Sequence, residues 1–398
     1  GGATVVGGST GNMIIGNYLG TNAAGTAAIP NFAGVYLYNN SSNTTVGGTA
    51  PGTRNIIAGN NVYGVWIADA PSNTVIGNYI GTRVDGTTAL PNSTSGVRIE
   101  SANNIIGGSS AAHRNIISGN TGDGIRMIGS GCTGNTVLGN WIGLNSLGNA
   151  LGNGQQGMRI DVSANGNTIG GSLVGARNVI SANGGHGILL DNAPGHIILN
   201  NHIGSNVAGV GAGAAEANVA GGITAQNGAN NTLIGDGTAA GRNVLGRSTN
   251  DAIVLGTGTS GAVVRGNYIG VGSTGCDVQV SLVGIRITNS SNNTIGGIAP
   301  GDRNVIGGIT SHGILLDGAT TTGNIVRNNS IGYCSDGITA RGIGGDGIRF
   351  VNGASNNSIG GTGATDGNLI GNCNQTGIIV PGATCQGNSF LGNSIYNS

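Results

Sequence analysis

Apolar residues recur along the chain at every second position, in runs of three to five that Gly and Asn interrupt before the pattern resumes. The clearest copy is Asn73-Thr74-Val75-Ile76-Gly77-Asn78-Tyr79-Ile80-Gly81. With the first Asn of each copy as a marker, the series runs Asn12, Asn43, Asn73, Asn103, Asn135, Asn167, Asn231, Asn293, Asn324, Asn357 and Asn388, and His196 and Ala262 fill the two gaps. Markers lie 29 to 35 residues apart. At such a period each repeat is one structural unit that buries its apolar face only against its neighbours. The pattern predicts three short strands per repeat, in this copy Thr74 to Ile76, Asn78 to Ile80 and Val97 to Ile99.

The residue two after each marker is apolar in every copy except at Thr45, so this column is expected to face inward. A second inward column runs from Leu19, Ile57 and Ile80 to Ile395. Just before it stands an Asn in every copy, from Asn17, Asn55 and Asn78 to Asn393. Amides tolerate the left-handed or bridging backbone of a tight bend and can hydrogen-bond from one coil to the next. Long loops alternate between two corners, after the second strand in Gly81 to Asn92 and before it in Gly47 to Asn55. Coils about 4.8 Å apart leave no room for a long loop on the same corner of each, and alternation doubles the space.

Short strands, Asn and Gly bends and an internal Asn ladder resemble the right-handed parallel β-helix of the pectate lyase-like superfamily. The phrases Asn293-Thr-Ile-Gly-Gly, Arg303-Asn304-Val-Ile and Gly313-Ile-Leu-Leu resemble repeats of large secreted bacterial β-helix surface proteins. The expected fold is all-β, a β-solenoid of about thirteen coils forming one domain over residues 1–398; the right hand comes from the resemblance. Neither end shows a polar cap, as expected of a trimmed chain or of rods stacking end to end.

Composition narrows the classes. Glycine supplies 83 residues without a strict Gly-X-Y period, which excludes collagen, and charged residues are 8% against 37% apolar, which argues against disorder. All 15 basic residues are Arg and balance 15 acids, so nothing points to nucleic acid or an anionic membrane. No apolar run approaches the roughly 18 residues of a membrane span, no signal peptide is visible, and a start at Gly1 reads as a mature or excised form. Among five cysteines, Cys276 and Cys334 fall in equivalent loops two repeats apart and Cys373 lies near Cys385; either pair is a candidate disulfide of a secreted protein. No metal or cofactor motif is present, and the Gly-x-Gly strings read as turns.

Two outward faces could carry chemistry. On the second strand Tyr18, Tyr79, Trp141, His202 and Tyr268 recur in alternate coils, about 9.6 Å apart, a spacing that suits an extended glycan stacked on rings. The competing reading has the loops folded over the rings as an apolar cluster. On the third strand the outward column reads Tyr36, Trp66, Arg98, Arg126, Arg159, followed two residues on by Glu100, Asp161 and Asp191. Asp161 and Asp191 in adjacent coils would form a pair about 5 Å apart, the spacing of a glycosidase pair, in which like-charge repulsion raises one pKa. The Arg column suits uronate carboxylates or, as the resemblance to polysaccharide lyases implies, supplies a base. The alternative is a face of satisfied ion pairs, Arg98 with Glu100 or Asp123 and Arg159 with Asp161 or Asp191. Arg54, Arg114, Arg177, Arg242 and Arg303, each one residue before a ladder Asn, are expected to tie down loop carbonyls.

The sequence therefore leads to an extracellular structural or adhesive solenoid that binds polysaccharide along one face or stacks into fibres. A polysaccharide lyase or glycoside hydrolase using Asp161, Asp191, Arg159, Arg126 and Glu100 stands as the alternative, with Tyr36, Trp66, Arg98, Tyr79, Trp141 and His202 as substrate contacts. A phage-type tailspike is a third reading.

Overall fold

A computed structural model describes residues 1–210 and 213–398. The chain forms two compact units, Gly1–Leu189 and Leu190–Ser398. In the first unit, three parallel sheets are built from successive coils. One takes its strands from Met13–Ile14 to Thr168–Gly170, the second from Tyr18–Leu19 to Val179–Ile180, and the third from Ala3–Val5 to Met158–Asp161. The second unit repeats the plan, with first-sheet strands from Ile197–Leu199 to Ser389–Leu391 and third-sheet strands from Gly221–Gln226 to Ile378–Ile379. Each unit is thus an all-β parallel solenoid.

The strands form where the alternation placed them: Thr74–Ile76, Tyr79–Ile80 and Ser95–Ile99 make up one coil. Ile57, Ile80, Ile117 and Ile142 of the second sheet stack over one another in the core, fully buried. The first sheet corrects the expected column. Val46, not Thr45, pairs with Ile14 and Val75, and Ile106 is buried while Ile105 is 41% exposed. The cause is backbone conformation: Asn43 and Asn103 adopt left-handed φ of 51° and 59°, taking one extra residue into the turn and starting the strand one position later. Asn231, with φ 55°, shifts Ile234 inward in the same way.

Amide ladders close the corners. In the second, Asn55 Nδ2 donates to Asn78 Oδ1 at 2.9 Å and Asn78 Nδ2 to Asn115 Oδ1 at 3.0 Å. The marker residues form another, with Asn104 standing in for the marker Asn103, through Asn73, Asn104, Asn135 and Asn167 in the first unit and Asn293, Asn324, Asn357 and Asn388 in the second. A third, not anticipated, runs through Asn31, Asn60, Asn92, Asn120, Asn153 and Asn183. In the second unit this corner changes chemistry. Ser248 and Ser281 share a 2.9 Å hydrogen bond, and Ile309, Ile343 and Cys373 follow.

The long loops also stack, two coils apart. Val84 N–H donates to Gly25 O at 3.0 Å and Ser146 N–H to Gly86 O at 2.9 Å, and the second unit repeats this with Ser273 to Gly209 and Ser335 to Gly275. The disulfide Cys276–Cys334 joins two of these stacked loops, whereas Cys373 and Cys385, the other candidate pair, are buried free thiols. No helix among the described residues is long and apolar enough to cross a membrane.

Candidate functional site

The second-sheet rings are covered. Arg54 lies 4.0 Å over the ring of Tyr79, Arg114 4.2 Å over Trp141 and Arg242 4.0 Å over Tyr268. Of the arginines expected to hold loop carbonyls, Arg54 Nε donates to Gly77 O and Arg242 Nε to Gly266 O, each at 3.2 Å, whereas Arg303 donates to the side-chain Oδ1 of Asn328 and Arg114 Nε is buried without an acceptor. His202 is fully buried. The loops supply the rest of the cover: a Cβ on Gly86 would lie 2.5 Å from Tyr79 Cε2, and one on Gly209 would lie 2.4 Å from His202 Cε1. A sugar thus has no free ring stripe here, and only Tyr18 is substantially exposed.

On the third sheet of the first unit the outward register holds, Tyr36 beside Trp66, Arg98, Arg126 and Arg159 in successive coils. Tyr36 and Trp66 stack with centroids 4.3 Å apart and planes at 17°, and Tyr38 lies 5.3 Å from Tyr36. Tyr63 and Phe32 also tilt against Trp66, their centroids 5.3 and 6.3 Å from its own. Beside the rings, Glu100 accepts from the Trp66 indole N–H at 3.0 Å and pairs with Arg98, whose Nη1 donates to Tyr63 Oη at 2.9 Å. Next to this cluster lies a cleft of about 610 Å³ that Tyr36, Tyr38, Trp66, Asp69 and Glu100 line together with Asn40 and Ser101. Burial, with the charges of Tyr38 and Glu100 nearby, pushes the Tyr36 phenol above its usual range.

The next coils carry a second, charged corner. Asp161, its side chain only 3% exposed, accepts from Arg126 Nη2 at 2.9 Å and Arg159 Nε at 2.6 Å. Its carboxylate is thus held between two guanidinium groups. Asp191 accepts from Asn227 Nδ2 at 2.7 Å, so each aspartate of the expected pair has a structural partner of its own. Asp123, which sequence reading placed among the ion-pair partners, instead lines a cavity of about 360 Å³ with Arg126, Arg159 and Ser95. Burial raises its pKa and the Asp161 charge adds to this, against the Gln156 N–H, Arg159 and Arg126. Ser95 Oγ is buried in the same cavity without a hydrogen-bond partner.

Of the residues singled out from sequence, Tyr36, Trp66, Arg98 and Glu100 come together at the aromatic cleft, and Arg126, Arg159 and Asp161 at the charged corner; Tyr79, Trp141 and His202 sit elsewhere, under loops. Sequence reading missed Tyr63, Phe32 and Asp69. Tyr63 was findable, because it occupies the position that Asp123 holds two coils on, with an outward side chain three residues before Trp66. Among the described residues no three His, Cys, Asp or Glu side chains converge as for a metal ion.

No protein-family profile matches the sequence, and no curated protein matches it. Among solved structures, the A-module of the mannuronan C-5 epimerase AlgE4 of Azotobacter vinelandii is similar at 13% identity and a TM-score of 0.45, over 98% of this chain and 89% of that one. A PL6 family polysaccharide lyase of Pseudopedobacter saltans is similar at 14% identity and 0.40, over 100% and 93%. PfbA, a surface adhesin of Streptococcus pneumoniae, follows at 10% identity and 0.25, over 98% and 81%. At these superpositions no residue role or activity carries across.

Proposed function

We propose that the chain is an extracellular polysaccharide-binding solenoid whose contact surface is the outer face of the third sheet in the first unit. One observation carries this: the cleft at Tyr36, Tyr38 and Trp66 sets ring carbon beside the polar side chains of Asn40, Asp69, Glu100 and Ser101. Sugars present apolar C–H patches and hydroxyl donors side by side, and the cleft answers both. Its lining spans four coils, about 14 Å of parallel sheet, so it admits a run of sugars rather than one. The disulfide Cys276–Cys334 supports an oxidising, extracellular setting.

Affinity electrophoresis in gels cast with neutral, acidic and amino polysaccharides tests the reading. Retardation by at least one polymer that is lost in Tyr38→Ala and Trp66→Ala, but kept in Trp141→Ala, supports it; retention unchanged in the first two sinks it. Both variants must melt with the parent so that loss is not unfolding.

A second reading, a polysaccharide lyase or glycoside hydrolase, is favoured by Asp123 alone, a carboxyl with raised pKa in a cavity beside Arg126 and Arg159. Release of new chain ends from a polysaccharide that disappears in Asp123→Asn would establish it.

A further inference from the structure

We infer that the glycan taken by the aromatic cleft carries protonated amines, which makes it an amino-sugar polymer that is at least partly free of N-acetyl groups. This rests on the polysaccharide-binding reading and adds the ligand's charge.

The cleft's charge balance carries the step. Two carboxylates line it and no basic residue does. Glu100 is already answered by Arg98 and by the Trp66 N–H. Asp69 is exposed at the rim, and among the described residues it has no ion pair. Its main chain is fixed, the carbonyl accepting from Asn40 N–H at 2.6 Å. One carboxylate without an ion pair therefore lines the same cleft as three aromatic rings, whose electron-rich faces also favour a cation. A uronate would bring a like charge to Asp69, while an ammonium on a sugar ring satisfies rings and carboxylate together.

Calorimetric titration of the whole chain with glucosamine, N-acetylglucosamine and glucose oligomers of equal length tests this at mildly acidic pH, where the amine is charged. The glucosamine oligomer should bind about tenfold more tightly than the glucose oligomer. Asp69→Asn should bring the affinity ratio of glucosamine to glucose oligomer down to about one, and Asn tolerates the left-handed backbone here, φ 48°. Equal affinity for the three oligomers would overturn the amine assignment and leave the glycan reading standing. Binding of none would overturn both. An oligolysine that binds as tightly as the glucosamine oligomer and displaces it would show a plain cation site and overturn the sugar assignment.

Discussion

Asn78 hands two hydrogen bonds up and takes two from below: its backbone N–H and its Nδ2 both donate to Asn115 Oδ1 at 3.0 Å, and its Oδ1 accepts from both the backbone N–H and the Nδ2 of Asn55. The same Nδ2 also reaches Val46 O at 2.9 Å. Asn55, Asn78 and Asn115 are each fully buried, so no water replaces a missing partner. Asn78→Ala leaves the Asn55 donors and the Val46 carbonyl unanswered and should cost about 3 kcal/mol or more in urea unfolding. Asn78→Asp keeps the acceptor but buries a charge with no donor to offer Asn115, and should cost more than Ala. A cost below that of an exposed Asn→Ala control would mean that the ladder is ornamental.

Asp123 gives a pH dependence of defined sign. Its pKa is raised in the folded unit, chiefly by burial, so its proton is held more tightly folded than unfolded. Such a group contributes stability that is present below the unfolded carboxyl range and is lost as pH rises through the folded value. Asp123→Asn keeps the acceptor for the Gln156 N–H, 3.1 Å away, and removes the titration. The variant should melt above the parent at neutral pH, and the gap should close as pH falls towards the ordinary carboxyl range. A gap independent of pH would show that Asp123 does not titrate in this setting.

Much of the coil was legible because it is local. Ile80 and its neighbours repeat at period two, and the Asn before them marks a bend that any copy needs. The first-sheet register failed at Thr45 and Ile105 because a left-handed Asn43 or Asn103 is spelled the same as an extended one. The charged face was placed on the right strand, yet Asp161 proved to be a clasp between Arg126 and Arg159, since which of two neighbouring carboxylates an Arg reaches depends on side-chain path rather than on spacing. Likewise, nothing in the run Tyr79-Ile80-Gly81 says that the loop after it returns across the ring.

Cys276 and Cys334 close 58 residues of chain and clasp two loops that also share the Ser335 to Gly275 hydrogen bond. On the chain-entropy account a loop of that length contributes up to about 4 kcal/mol, less whatever the stacked loops retain in its absence. Unfolding of the second unit, followed by hydrogen exchange at its amides, should shift to lower urea on reduction, while amides of the first unit keep their midpoint. A shift confined to the first unit, or none in either, contradicts this.

The cover on Tyr79 yields the sharpest test, because two separable effects meet at Gly86. Its φ of 68° is left-handed, which a non-glycine residue adopts at a cost of about 1 kcal/mol. A Cβ there would also press on Tyr79 Cε2 at 2.5 Å and on Ser146 Oγ at 2.7 Å. Gly86→Ala should therefore cost about 2 kcal/mol or more in the parent, the backbone share plus the displaced ring. In a Tyr79→Leu background the steric share shrinks and the cost should fall towards the backbone share alone. The difference between the two costs is the coupling of Gly86 to Tyr79 in a double-mutant cycle. Identical costs in the two backgrounds would mean that the loop does not lie on the ring, and would return the second-sheet rings to the list of surfaces a glycan can reach.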